Sequence, residues 1–147
     1  MPFSEKLTAA RVYPSKIIKL SSEYNKKFIA MYSWNISKAD DFNTILDAAS
    51  LLNNNDNILF IIRGLGECQS KLFHQLERMK IGNVIFIHKY LEIQQFIKTI
   101  NSANLFLLPM KDVKRSIIHT KLYQYLAMVK PIIACETGKV KNLIEHL

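Results

Sequence analysis

Short, wholly apolar runs alternate along this chain with longer segments whose apolar residues recur every three or four positions. The short runs are Phe28–Tyr32, Ile58–Ile62, Val84–Ile87, Leu105–Leu108 and Ile132–Ala134. Each has the length of a strand. Continuous apolar runs predict strands buried on both faces, which is the pattern of a parallel sheet. The segments between them predict helices. One starts near Asp41 and places Phe42, Ile45, Leu46, Ala49 and Leu52 on one face. The next, after Gly66, turns Leu72, Phe73, Leu76 and Met79 inward. Glu92–Ala103 does the same with Ile93, Phe96, Ile97 and Ile100, and Lys121–Met128 with Leu122, Tyr125, Leu126 and Met128. A short final segment, Val140–His146, also has helical spacing. Strict alternation of strand and helix predicts the α/β class: a doubly wound parallel sheet of about five strands with right-handed crossovers.

In such sheets ligands sit beyond the carboxyl ends of the strands. Three loops there carry candidate chemistry. The first is SWNISKADDF, after the first run. A phosphate needs N–H donors and a cation near a helix start, and Lys38 in this loop supplies the cation. Read from the residues alone, Lys38 is more simply a solvated loop lysine. The second is Gly64-Leu65-Gly66-Glu67. Its glycines permit a tight turn and close backbone approach, as in any βα turn. The third runs from Met110 to Lys121 and leads into the last predicted helix. There Lys121 and Gln124 read equally as an exposed helix face. His88 and His119 follow strand ends or loops and can face a ligand, but the four histidines have no metal spacing. The sequence shows no Ser-His-Asp order, no Walker lysine and no pair of catalytic carboxylates, so it names no catalytic residue.

These segments resemble one family. LLPMKD followed by HTKLYQYLAMVKPIIA is similar to the form VPLKD…PSKLFEYMAAGKPVIA, and MYSWNISKADDFNTILDAASLL to MYAGNLGKAQGLDTLLDAAKLL. Both belong to the C-terminal, nucleotide-sugar-binding domain of GT-B enzymes of glycosyltransferase family 4. The subgroup most resembled is that of bacterial sugar transferases in surface-polysaccharide synthesis. The resemblance implies a Rossmann-like domain, one half of a GT-B fold. It implies that the domain binds a UDP- or GDP-sugar without a metal or other cofactor, and that transfer is to a glycan or lipid-linked acceptor. The donor-binding positions it implies are Asn35, Lys38, Gly64, Gly66, Ser116, Lys121 and Gln124. The family's ribose-binding glutamate falls on Gln124. An amide has one acceptor oxygen where a carboxylate has two, and the expected loss is about 1–3 kcal/mol. Trp34 and Val129 stand where the family has glycines. The position after the last helix often adopts the left-handed conformation, in which a β-branched residue is strained.

Length and composition bound the rest. The 147 residues suit one domain, read as a linker segment over 1–25 and a nucleotide-sugar-binding domain over 26–147. No apolar run reaches membrane-span length, and the N-terminus lacks the apolar core of a secretory signal. Two cysteines without metal spacing, Cys68 and Cys135, suit a reducing cytosol, so the expected location is cytoplasmic, with peripheral association at the membrane face left open. Lys and Arg number 20 against 12 Asp and Glu, a net charge of +8. That balance suits phosphate ligands or anionic lipid, and nothing in the pattern favours nucleic acid. The resembled enzymes work between two domains, the N-terminal one holding most of the acceptor. This chain matches the other domain, so alone it is expected to be inactive. The resemblance implies a piece of a longer transferase, half of a split enzyme or a decayed remnant. The competing reading is a non-catalytic α/β module.

Overall fold

A computed structural model describes residues 11–12, 24–111, 120–135 and 146. Its six strands are β1 (Arg11–Val12), β2 (Phe28–Ser33), β3 (Ile58–Arg63), β4 (Val84–Ile87), β5 (Leu105–Leu108) and β6 (Ile132–Ala134). They form one sheet in the order β1-β4-β3-β2-β5-β6, and every pair is parallel. The five strands read from apolar runs are all present. The sixth lies within the segment read as an irregular linker. Two residues, Arg11 beside Ile85 and Val12 beside Phe86, extend the sheet at the β4 edge. So short a strand has no apolar run to announce it, and its partner supplies the ladder.

The helices are α1 (Phe42–Leu51), α2 (Gln69–Met79), α3 (Ile93–Asn101) and α4 (Thr120–Ala127). Helices α1 and α2 cover one face, where Leu46, Leu72 and Leu76 pack against Tyr32, Phe60 and Phe86. On the other face Leu122, Tyr125 and Phe96 pack against Met31, Ile61 and Phe106. The Phe106 and Tyr125 rings stack with centroids 4.4 Å apart. Each fully buried aliphatic or aromatic side chain of this kind contributes about 1.5–3 kcal/mol.

One predicted face differs along its length, and elsewhere Leu52 and Leu126, also expected inward, are each 37% exposed. Ile93 and Ile97 of α3 are 68% and 47% exposed. The helix instead turns Thr99 to the core, with Phe96 and Ile100 half-buried beside it. Thr99 is accommodated because its hydroxyl donates to the Gln95 carbonyl at 2.8 Å. Spacing alone does not distinguish the 93–97 row from the 96–100 row. The Val140–His146 helical reading lies, apart from His146, outside the described residues.

Helix α4 ends as expected. Val129, just past it, has φ +52° and is 90% exposed. This left-handed conformation costs a β-branched residue, whereas glycine adopts it freely. Val129→Gly is therefore expected to stabilise the fold by about 1 kcal/mol, the strain relief being partly offset by glycine's greater unfolded-state freedom. A urea titration of the two proteins checks this, and a loss of stability would remove the strain argument.

Candidate functional site

The sheet reverses its winding at β2. The chain goes from β2 outward through β3 and β4, then crosses back to β5 on the other side of β2. In open α/β sheets the carboxyl-end side of such a switch point is the usual ligand position. Three loops meet there.

The loop after β2 is bonded to the loop after β3. Trp34 N–H donates to the Arg63 carbonyl at 3.1 Å, Ile36 N–H to Leu65 at 2.8 Å, and Cys68 N–H to Ile36 at 3.1 Å. The glycines make this approach possible. Gly64 and Gly66 have φ of +158° and +154°. A Cβ on Gly64 would collide with the Trp34 carbonyl oxygen, and one on Gly66 would lie 2.6 Å from Asn35 Oδ1. The space beside each glycine is thus filled by the neighbouring loop. Lys38 and Glu67 close the contact from outside, with Nζ 3.6 Å from Glu67 Oε2 and Lys38 81% exposed. The Lys38 N–H also donates to Glu67 Oε1 at 3.3 Å. An exposed pair of this kind contributes little stability, so Lys38 can exchange Glu67 for another anion at small cost.

The loop after β5 joins the same group. Asp41 N–H donates to the Pro109 carbonyl at 2.5 Å, and Lys111 N–H to Ala39 at 2.9 Å. Beneath these loops lies a polar cluster that sequence reasoning did not find. Lys121 is 2% exposed and forms an ion pair with Asp40, itself 3% exposed. This overturns the reading of Lys121 as an exposed helix residue. The second Asp40 oxygen accepts from Ser37 Oγ and lies in bonding range of the Tyr32 hydroxyl, each at 2.9 Å. The Tyr32 oxygen is also 2.6 Å from the Asn35 carbonyl, and Lys121 Nζ donates to it at 3.4 Å. Burial pushes the Lys121 ammonium below the usual lysine range, while Asp40 opposes the shift. Burial, reinforced by Asp40, raises Tyr32 above the phenol range and keeps it a neutral donor. One turn further along α4, the Tyr125 hydroxyl accepts the Ser33 N–H at 2.9 Å. The start of α4 is thereby fastened to the loop carrying Asn35 and Lys38.

The structure brings Asn35, Lys38, Gly64, Gly66 and Lys121 into one assembly. Gln124 lies on α4 one turn after Lys121, exposed to solvent. Ser116 and His119 lie outside the described residues. An apolar groove between α1 and the β5–β6 edge, lined by Ala48, Leu52, Leu105, Leu107 and Ile133, contains none of these residues.

A model of the glycosyl transferases group 1 family matches residues 15–147. The chain belongs to that family. No curated protein matches it. Among solved structures, the group 1 chain is similar to the catalytic domain of cholesterol-α-glucosyltransferase from Helicobacter pylori. The TM-score is 0.58 at 8% identity, over 78% of this chain and 70% of that one. It is also similar to a trehalose-6-phosphate synthase, with TM-score 0.56 and 15% identity, over 88% of this chain and 33% of the other. A structure described as trehalose-6-phosphate from E. coli bound with UDP-2-fluoro glucose gives the same values. At these identities the likeness is one of fold, and it places the group 1 chain on the Rossmann-like α/β architecture of GT-B glycosyltransferases. The chain spans about a third of those trehalose-phosphate proteins. Among its described residues no helix is long and apolar enough to cross a membrane.

Proposed function

We propose that this chain is the nucleotide-sugar-binding domain of a glycosyltransferase of family 4, acting in polysaccharide or glycoconjugate synthesis. The observation that carries this reading is the buried Lys121–Asp40 pair. It holds the start of α4, expected to meet the ribose, against the loop expected to meet the diphosphate. In this reading the exposed Lys38 receives the diphosphate beside the loops at Asn35–Ala39 and Gly64–Glu67, while the Ile36 and Gly64 amides stay bonded to the Leu65 and Ile87 carbonyls. Lys121 acts from below by fixing those loops. Gln124 faces the ribose, and Ser116 lies on the sugar side. The donor needs no metal. The acceptor and the base come from an N-terminal GT-B domain, on the same longer polypeptide or on a second chain. Transfer depends on holding both substrates together, and this domain supplies one half of that arrangement. We place the protein in the cytoplasm, with its net positive charge available to anionic lipid.

Titration of UDP, GDP and ADP into the chain and two variants tests this. UDP comes first, because the similar E. coli structure holds a UDP-sugar analogue. Gln124→Glu restores the second, charged acceptor for the ribose diol and is expected to tighten binding about tenfold, equal to about 1.4 kcal/mol. Lys38→Ala is expected to weaken binding severalfold. If no nucleotide binds at millimolar concentration, the donor-site reading fails and a non-catalytic module becomes the better account. If the chain binds and Gln124→Glu binds no better, the ribose lies elsewhere.

A further inference from the structure

Strand β3 reads ILFIIR, five apolar residues and then an arginine at the carboxyl end. Arg63 pairs in register with Ser33 on β2 and Ile87 on β4, at the centre of the sheet. Its side chain lies on the α3–α4 face, with the guanidinium carbon 4.7 Å from the centroid of the Phe96 ring. Its hydrogen bonding is poor. Nη1 reaches Ser33 Oγ only at 3.5 Å, and Nε is buried with no partner. Among the described residues no carboxylate pairs with it. The groups whose charge would favour its cationic form are two phenols, Tyr125 and Tyr90. Burial accordingly moves its pKa below the usual arginine value.

A half-buried guanidinium without an anion is costly. It carries five donors in a rigid fork, and here one weak bond engages them. A ring beneath the plane fixes the fork without satisfying it. The position is also informative. Gly64 follows directly, Trp34 follows Ser33, and these residues begin the two bonded loops of the candidate site. A planar fork at the carboxyl end of a central parallel strand suits a phosphoryl group, which accepts two parallel N–H bonds.

We propose that Arg63 binds a phosphoryl oxygen of the diphosphate of the bound nucleotide donor, at the carboxyl-end side of the switch point. This rests on the donor-binding reading above but adds a ligand residue that the family resemblance does not contain.

The test compares the chain with Arg63→Met and Arg63→Lys, using inorganic pyrophosphate, UDP and uridine as probes in ligand-observed NMR. Arg63→Lys keeps a cation and an aliphatic stem over Phe96. Circular dichroism and thermal unfolding confirm that each variant is folded, and Arg63→Lys carries the test if Arg63→Met does not fold. The expected result is at least a tenfold loss of pyrophosphate and UDP affinity in Arg63→Met, a smaller loss in Arg63→Lys, and no change for uridine. Equal losses for UDP and uridine would make Arg63 a structural residue and overturn the proposal. Unchanged UDP affinity in either folded variant would also overturn it while leaving the donor reading in place. Pyrophosphate binding that depends on Arg63, without any nucleotide binding, would uphold the anion site and reject the donor reading. Failure of the unsubstituted chain to bind pyrophosphate would reject the anion site.

Discussion

Lys121→Met is expected to destabilise the domain by about 3–5 kcal/mol, since it leaves the Asp40 carboxylate buried without its counter-ion. The carboxylate keeps the Ser37 and Tyr32 hydroxyls, but two neutral donors do not replace an ammonium. For a domain of this size the loss corresponds to a fall in melting temperature of roughly 10 °C. The partner change separates charge from packing. A buried ion pair can often be replaced by uncharged groups at little cost. The double variant Asp40→Asn with Lys121→Met is therefore expected to recover at least half of the loss. Guanidinium unfolding of the four proteins in the cycle measures this directly. Additive costs for the two single changes would mean that the pair is not coupled. The function would then lose the strut between α4 and the phosphate loop.

Gly64→Ala is expected to cost about 3 kcal/mol, combining strain at positive φ with a backbone collision. The colliding atom is the Trp34 carbonyl oxygen. A backbone atom cannot rotate away as a side chain can. The two loops must separate, breaking the bonds from Trp34 to Arg63 and from Ile36 to Leu65. Nucleotide affinity should therefore fall together with stability. Thermal unfolding and a UDP titration on the same variant check both. An alanine variant as stable as the parent would mean that the loops do not depend on this approach.

The sheet was legible because strands buried on both faces are written as unbroken apolar runs, and all five such runs are strands, although β6 at the sheet edge is not buried on both faces and leaves Ile133 59% exposed. The strain at Val129 was legible for a local reason, since the position after a helix often takes the left-handed conformation and the resembled family has glycine there. What could not be read depends on partners far away in the chain. Lys121 sits in a segment with ordinary helical spacing, where a lysine reads as surface. Its burial is set by Asp40, 81 positions earlier, which itself reads as one of two turn aspartates. Tyr32 reads as the end of a strand, and its hydroxyl gains meaning only from the same cluster. Arg63 carried the one visible signal among these residues, a charge closing an apolar strand. The exposed side chains of Ile93 and Ile97 reflect how α3 is rotated on the sheet, which the apolar pattern leaves open. Of the residues expected to touch donor, the two glycines are fixed first by loop-to-loop packing.

The central claim is that the three loops at the switch point form a single nucleotide site. The measurement that tests it most directly is an amide correlation NMR titration of the ¹⁵N-labelled chain with UDP. The account predicts saturable shifts along a single binding curve at Asn35–Ala39, at Gly64–Glu67 and from Thr120 to Gln124. It predicts no shifts along Leu105, Leu107 and Ile133 of the apolar groove. Shifts confined to that groove, or none at millimolar UDP, GDP or ADP, would contradict it.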